Sequence, residues 1–143
     1  MLRTLLFALV LTLGFANQSL AIEPLILMRY GDAYHAIQKY NVNGIFVFTA
    51  SWCEPCKKMK KDTWTPLMSQ IKTKYIIYFV DVEAEPDIVK KWQAMGMVQN
   101  IPAYALTTRG GTRIISYDAG YRNKSNLMKW VNDGILSLKK RRR

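Results

Sequence analysis

The apolar and polar positions along this chain follow two alternating rhythms. Continuous apolar runs fall at 25–28, 45–49 and 75–82, the pattern of strands buried on both faces. The last is the strongest, dense in β-branched and aromatic residues. Between these runs the spacing turns helical. Over 31–40, Tyr34, Ile37 and Tyr40 (or Val42 just beyond) recur near the helical period. Over 86–95, Ile88, Val89, Trp92 and Met95 share one face, and over 124–136 Leu127, Trp130, Val131, Gly134 and Ile135 do the same. Another helix is predicted from 53 to 61, with Pro55 tolerated because the first turn has spare N–H groups. Thr63-Trp64-Thr65-Pro66 should break it, with Thr65 capping a further piece over 66–72. Asn43-Gly44 reads as a turn, and strands at 103–106 and 113–117 are joined through Arg109-Gly110-Gly111 as a hairpin. Strands separated by helices imply parallel crossovers, and the hairpin adds an antiparallel edge. The expected architecture is an α/β three-layer sandwich, a mixed central sheet with helices on both faces.

Composition narrows this to one domain. Half of the 143 residues are hydrophobic, enough for a real core and against disorder, and no repeat or linker divides the chain. Residues 1–21 read as a signal peptide: Arg3 opens it, 5–16 is its apolar core, and Ser19-Leu20-Ala21 offers small residues for cleavage. The apolar core is short of the roughly 20 residues that cross a bilayer, so cleavage is preferred to an uncleaved membrane anchor. The expected products are a domain over 22–138 and a basic C-terminal tail over 139–143, in the periplasm or secreted. Of the formal charge of +11, the tail carries five and Arg3 one, so the body is only moderately basic. The tail reads as a solvated, disordered segment, and export argues against nucleic acid as a partner.

The chain's two cysteines, Cys53 and Cys56, stand two residues apart where the second apolar run meets a Lys-rich helix. A cysteine just before a helix faces unpaired backbone N–H groups and the positive end of the helix dipole, which favour the nucleophilic thiolate. Export places this pair where disulfides persist, and two cysteines are too few for a structural scaffold. Two other readings of the pair are a structural disulfide and a Cu(I) site completed by Met59, Met95 or Met97. Met95 and Met97 are expected to pack instead, as are Trp64, Trp92 and Trp130, and His35 is expected to be an ordinary surface or boundary residue. The Lys57, Lys58, Lys60, Lys61 cluster reads as a solvated helix face that could favour acidic partners.

These residues resemble the thioredoxin superfamily. The resemblance runs through Trp52-Cys53-Glu54-Pro55-Cys56-Lys57, Asp81 ending the third apolar run, Ile101-Pro102, Gly110-Gly111 and Gly120, in that order. Phe48 to Cys53 and the stretch Lys57 to Trp64 look most like exported, periplasmic-type members. The resemblance implies a thiol-disulfide oxidoreductase in which Cys53 attacks a substrate disulfide and Cys56 resolves the mixed disulfide. Reduction or isomerisation is favoured over oxidation. A redox-inactive peptide-binding module or chaperone of the same fold, and a copper carrier, are the competing functions. No dissociable cofactor and no metal are implied; the redox group is the Cys53–Cys56 pair. The implied partners are protein disulfide or dithiol substrates and an upstream thiol donor or acceptor, membrane-bound in one version, with the protein a monomer. Ile101-Pro102 should be a cis peptide whose backbone pairs with the substrate, and Trp52 part of the apolar rim that receives it. Val47 stands where cytosolic members carry a buried Asp that assists proton transfer at the second cysteine. Glu54, Pro55 and Lys57 are expected to tune the thiolate. A charge at roughly 7 Å through a dielectric of about 40 is worth about 1 kcal/mol, so Glu54 should disfavour the thiolate slightly and Lys57 oppose it.

Overall fold

A strand that carries apolar residues on both faces needs cover on both sides, and the central strand here has it. The computed structural model describes residues 30–71 and 74–141. The proposed signal peptide and the apolar run 25–28 lie outside the described residues. Strand β1 (Asn43–Thr49) is flanked by β2 (Tyr75–Asp81), parallel, and β3 (Ala103–Thr107), antiparallel. Strand β4 (Ile114–Ala119) adds an antiparallel edge, giving the order β2-β1-β3-β4.

Successive side chains of β1 point to opposite faces. Phe46 and Phe48 enter a core built with α1 (Tyr30–Lys39) and α4 (Pro86–Ala94), where Trp92 lies 5.5 Å and 5.1 Å from their ring centroids. Ile45 and Val47 enter the other core, with α2 (Glu54–Met59), α3 (Thr65–Ile71) and α5 (Lys124–Arg141). There Tyr104 stacks edge-on against Trp64 at 6.1 Å and Trp130 at 4.9 Å. The predicted mixed sheet with helices on both faces is therefore the observed one, and all three predicted core tryptophans pack.

Four local expectations change. Asn43-Gly44 is strand, not turn: the Asn43 side chain donates to the Thr107 carbonyl, and the Gly44 N–H to the Thr107 hydroxyl. Gly44 is used for closeness instead, since a Cβ there would clash with Ile37 Cδ1 of α1. The helix after Cys53 does not break at Thr63–Pro66. It passes through a π-helical turn (Lys60–Trp64) into α3, and Thr65 is no N-cap: its N–H and its hydroxyl both bond back to the Lys60 carbonyl. Proline lacks the N–H that would continue the ladder, and the wider turn just before Pro66 absorbs the missing bond. Tyr40 and Met95 are exposed rather than packed, because α1 buries Ala33, Ala36 and Ile37 and α4 ends at Ala94. Finally, α5 continues to Arg141, so Lys139, Lys140 and Arg141 form a helical last turn where cations suit the dipole.

Candidate active site

The site begins where β1 runs out at Thr49. The chain turns, with the Cys53 N–H bonded to the Ala50 carbonyl at 3.2 Å, and Cys53 becomes the N-cap of α2. Its backbone is extended (φ −82°, ψ 99°) and its Sγ accepts the Cys56 N–H at 3.3 Å. Ser, Thr, Asp or Asn usually supplies that acceptor. A sulfur in their place sits among unpaired N–H donors, and these stabilise negative charge on it. Pro55 occupies the first turn at no cost in hydrogen bonds, and Cys56 follows one turn on. The two cysteines form a disulfide, with Cα atoms 5.2 Å apart.

Both cysteines are buried, and Ala50, Val82 and Ile101 pack on them. The Ile101–Pro102 peptide is cis, and the Pro102 carbonyl accepts the Gly120 N–H at 2.7 Å. Beside the disulfide opens a groove of about 480 Å³, lined by Trp52, Val82, Val89, Val98, Gln99 and Ile101. Trp52 is 61% exposed at its edge, an apolar surface presented to water and not used by the core. Of the residues singled out from the sequence, Trp52 and Ile101 line the groove and Cys53 and Cys56 pack with Ile101, while Glu54 and Lys57 lie exposed on α2.

The charges are arranged simply. Glu54 Oε1 and Lys57 Nζ are 2.6 Å apart and both side chains are exposed, so each largely cancels the other's field at the sulfur. Below the site, Val47 is buried with Phe79 and Tyr104 as its cross-strand neighbours. The Tyr104 phenol is pushed up to about 12, first by burial and then by the Asp118 carboxylate, with Arg122 opposing. It keeps its proton at neutral pH and does not replace a carboxylate as proton acceptor. Asp81 caps the turn after β2 by accepting the Glu83 and Ala84 N–H groups.

The methionines do not gather around the sulfurs. Met59 and Met97 pack into cores on opposite faces of the sheet, and Met95 is exposed. Among the described residues no group of three His, Cys, Asp or Glu is placed to hold a metal ion. His35 is an exposed residue of α1.

Two contributors escaped the sequence reading. Val98 takes a left-handed backbone (φ +59°) while buried, with its N–H donated to the Tyr117 hydroxyl at 2.8 Å. For a β-branched residue that conformation costs on the order of 1–3 kcal/mol, and it shapes the groove wall. Nothing local in the sequence signals it. Tyr121 follows Gly120, whose N–H binds the Pro102 carbonyl, and is 43% exposed with Lys58 Nζ 5.2 Å from its ring centroid. An aromatic beside the glycine that ends β4 was the only available signal.

Known proteins give the same picture. The family model Thioredoxin matches residues 30–133. Thioredoxin 1 of Chlorobaculum tepidum is 38% identical over 63 residues, which are 44% of this chain and 57% of that protein. The match thus spans a little over half the relative's length. The oxidised mitochondrial thioredoxin 3 of Saccharomyces cerevisiae superposes with a TM-score of 0.59 at 27% identity, covering 75% of this chain and 92% of that one. The germline-specific thioredoxin Deadhead of Drosophila melanogaster superposes at 0.61 and 19% identity, covering 73% and 90%, a likeness of fold.

Proposed function

From the premise that this chain belongs to the thioredoxin family, we propose that it is an exported thiol-disulfide oxidoreductase that reduces, or isomerises, disulfides of protein substrates. The observation that carries this reading is the Cys53 sulfur at the N-cap of α2, bonded to the Cys56 N–H and bordered by Trp52 and the cis Ile101–Pro102 peptide.

In the dithiol form, Cys53 loses its proton where backbone N–H groups favour the anion. The thiolate attacks one sulfur of a substrate disulfide; a Cys53–substrate bond forms and the substrate's second sulfur leaves as a thiolate that takes up a proton. Cys56 then gives up its proton and attacks the Cys53 sulfur. The mixed disulfide breaks, the substrate departs as a dithiol, and the two electrons it gained leave Cys53–Cys56 oxidised. Val47 carries no carboxylate where the resemblance expects a buried Asp, and water entering the cleft takes that proton in its place. An upstream dithiol donor, soluble or membrane-bound, returns the pair to the reduced state. The groove beside the disulfide holds an extended substrate segment against the Ile101 backbone, with Trp52 as its apolar edge.

Export is proposed from residues 1–21, with cleavage after Ala21. Mass measurement of protein recovered from an outer compartment should give a chain beginning at Ile22; a cytoplasmic chain retaining Met1 overturns export alone.

Insulin reduction by dithiothreitol tests the chemistry. The protein should accelerate it, Cys53→Ser should return it to the uncatalysed rate, and Cys56→Ser should accumulate a substrate adduct on Cys53. Acceleration that survives Cys53→Ser overturns the proposal.

A further inference from the structure

The two flanks of the cleft differ in charge. The groove side is uncharged, lined by Trp52, Val82, Val89, Val98, Gln99 and Ile101. The α2 side is basic, with Lys57, Lys58, Lys60 and Lys61 within five residues. These lysines are not equivalent. Lys57 is paired with Glu54, and Lys60 lies over the Phe79 ring at 5.4 Å, toward the β2 edge. Among the described residues Lys58 has no carboxylate within ion-pair distance. Its ammonium is held over the Tyr121 ring, 5.2 Å from the centroid, and Tyr121 follows the glycine whose N–H binds the Pro102 carbonyl.

We propose that Lys58 and Tyr121 form a docking point for an acidic segment of a partner protein, set beside the reactive disulfide. The proposal deepens the oxidoreductase reading and rests on it for the partner's being a substrate. A lysine lying on an aromatic face has lost part of the rotamer freedom that a surface lysine otherwise loses on binding. The ring adds apolar area for the stem of an incoming Asp or Glu. The neighbouring carboxylates do not cancel the charge. Glu54 is occupied by Lys57, Asp118 is paired with Arg122, and Asp62 is one charge against Lys58 and Lys61, neither of which makes an ion pair among the described residues. A segment running from the groove across the disulfide therefore meets an apolar and amide surface first, then a fixed cation. The substrates it selects carry acidic residues on one side of the reacting cysteine.

Two fluorescent peptides without cysteine test this: one with Asp and Glu around a central Ser, one with Asn and Gln in the same places. Anisotropy against the oxidised protein should show the acidic peptide bound roughly tenfold tighter at about 0.01 M salt, with the difference gone near 1 M as the Debye length falls from about 30 Å to about 3 Å. Lys58→Glu should erase the preference and Tyr121→Ser should weaken it roughly threefold, while Lys139→Glu/Lys140→Glu, a larger charge change at the end of α5, should leave it intact. No preference, a preference that survives Lys58→Glu, or an equal loss in the α5 variant each overturn the docking point. The same peptides carrying a disulfide in place of Ser supply the second arm. The pre-reduced protein should reduce the acidic one faster, and Lys58→Glu should slow that one alone. Preferential binding without reduction of either peptide overturns the oxidoreductase reading and leaves the docking point standing.

Discussion

Val47, where the resemblance expects a buried Asp, and Glu54, between the two cysteines, are treated differently by the structure. Val47 is enclosed by Phe79, Tyr104 and the rest of an apolar core. Restoring a carboxylate there by Val47→Asp should therefore cost about 3 kcal/mol or more, because the new charge would be buried without a cation. Urea unfolding checks this; a loss below about 1 kcal/mol would mean that water or a cation already reaches the position. Glu54 is exposed and tied to Lys57. Glu54→Gly removes the nearer negative charge and releases Lys57, so the Cys53 thiolate should form at lower pH, by less than about one unit. Titration of thiolate absorbance in the reduced protein checks sign and size together. At this scale the reactive pair was legible because its chemistry is local: two sulfurs, one helical turn, one N-cap. Val98 and Tyr121 were not legible, because each acquires its place from chain segments distant in sequence.

Helices and strands show where pattern reading succeeds and where it slips. The strands at 45–49 and 75–82 were legible because burial on both faces leaves an unbroken apolar run. The expected break at Thr63–Pro66 was wrong because one proline can be absorbed by a wider turn, which shifts the helical register without ending the helix. That turn puts Thr63 and Trp64 inside, where the Thr63 hydroxyl donates to the Arg122 carbonyl at 2.8 Å and ties the helix to the segment leading into α5. Trp64→Ala should cost about 3–5 kcal/mol, as expected for emptying a buried tryptophan site. The Asn43-Gly44 error has a similar origin: a glycine kept for close packing carries the same letter as one kept for a turn. Gly44→Ala should cost about 1–3 kcal/mol by pushing Ile37 of α1 off the sheet, and thermal unfolding should show it.

For the molecule as a whole, the order of elements predicted the layers, since helices between strands have to cover a sheet on two sides. Strand order was beyond that reading, because it depends on which edges pair. A whole-molecule property also follows from two phenols, Tyr104 buried and Tyr78 half-buried. Tyr78 and Tyr104 are each pushed up to about 12, chiefly by burial, with the Glu85 carboxylate adding at Tyr78 and Asp118 at Tyr104. The folded protein holds these protons when the unfolded chain, with phenols near 10, has begun to release them. Stability should therefore be intact below about pH 10 and fall as pH rises toward 12; urea midpoints across that range should show the slope, and Tyr78→Phe should flatten it. The disulfide and its groove are assembled from Trp52 to Cys56, Val82, Val89 and residues 98–101, which only the complete sheet brings together. A synthetic fragment spanning both cysteines would keep the thiols and lose the receiving surface. On the proposed reading, insulin reduction is thus a gauge of intact molecules, and its recovery after denaturant dilution should report assembly of the sheet, not the mere closing of a sulfur ring.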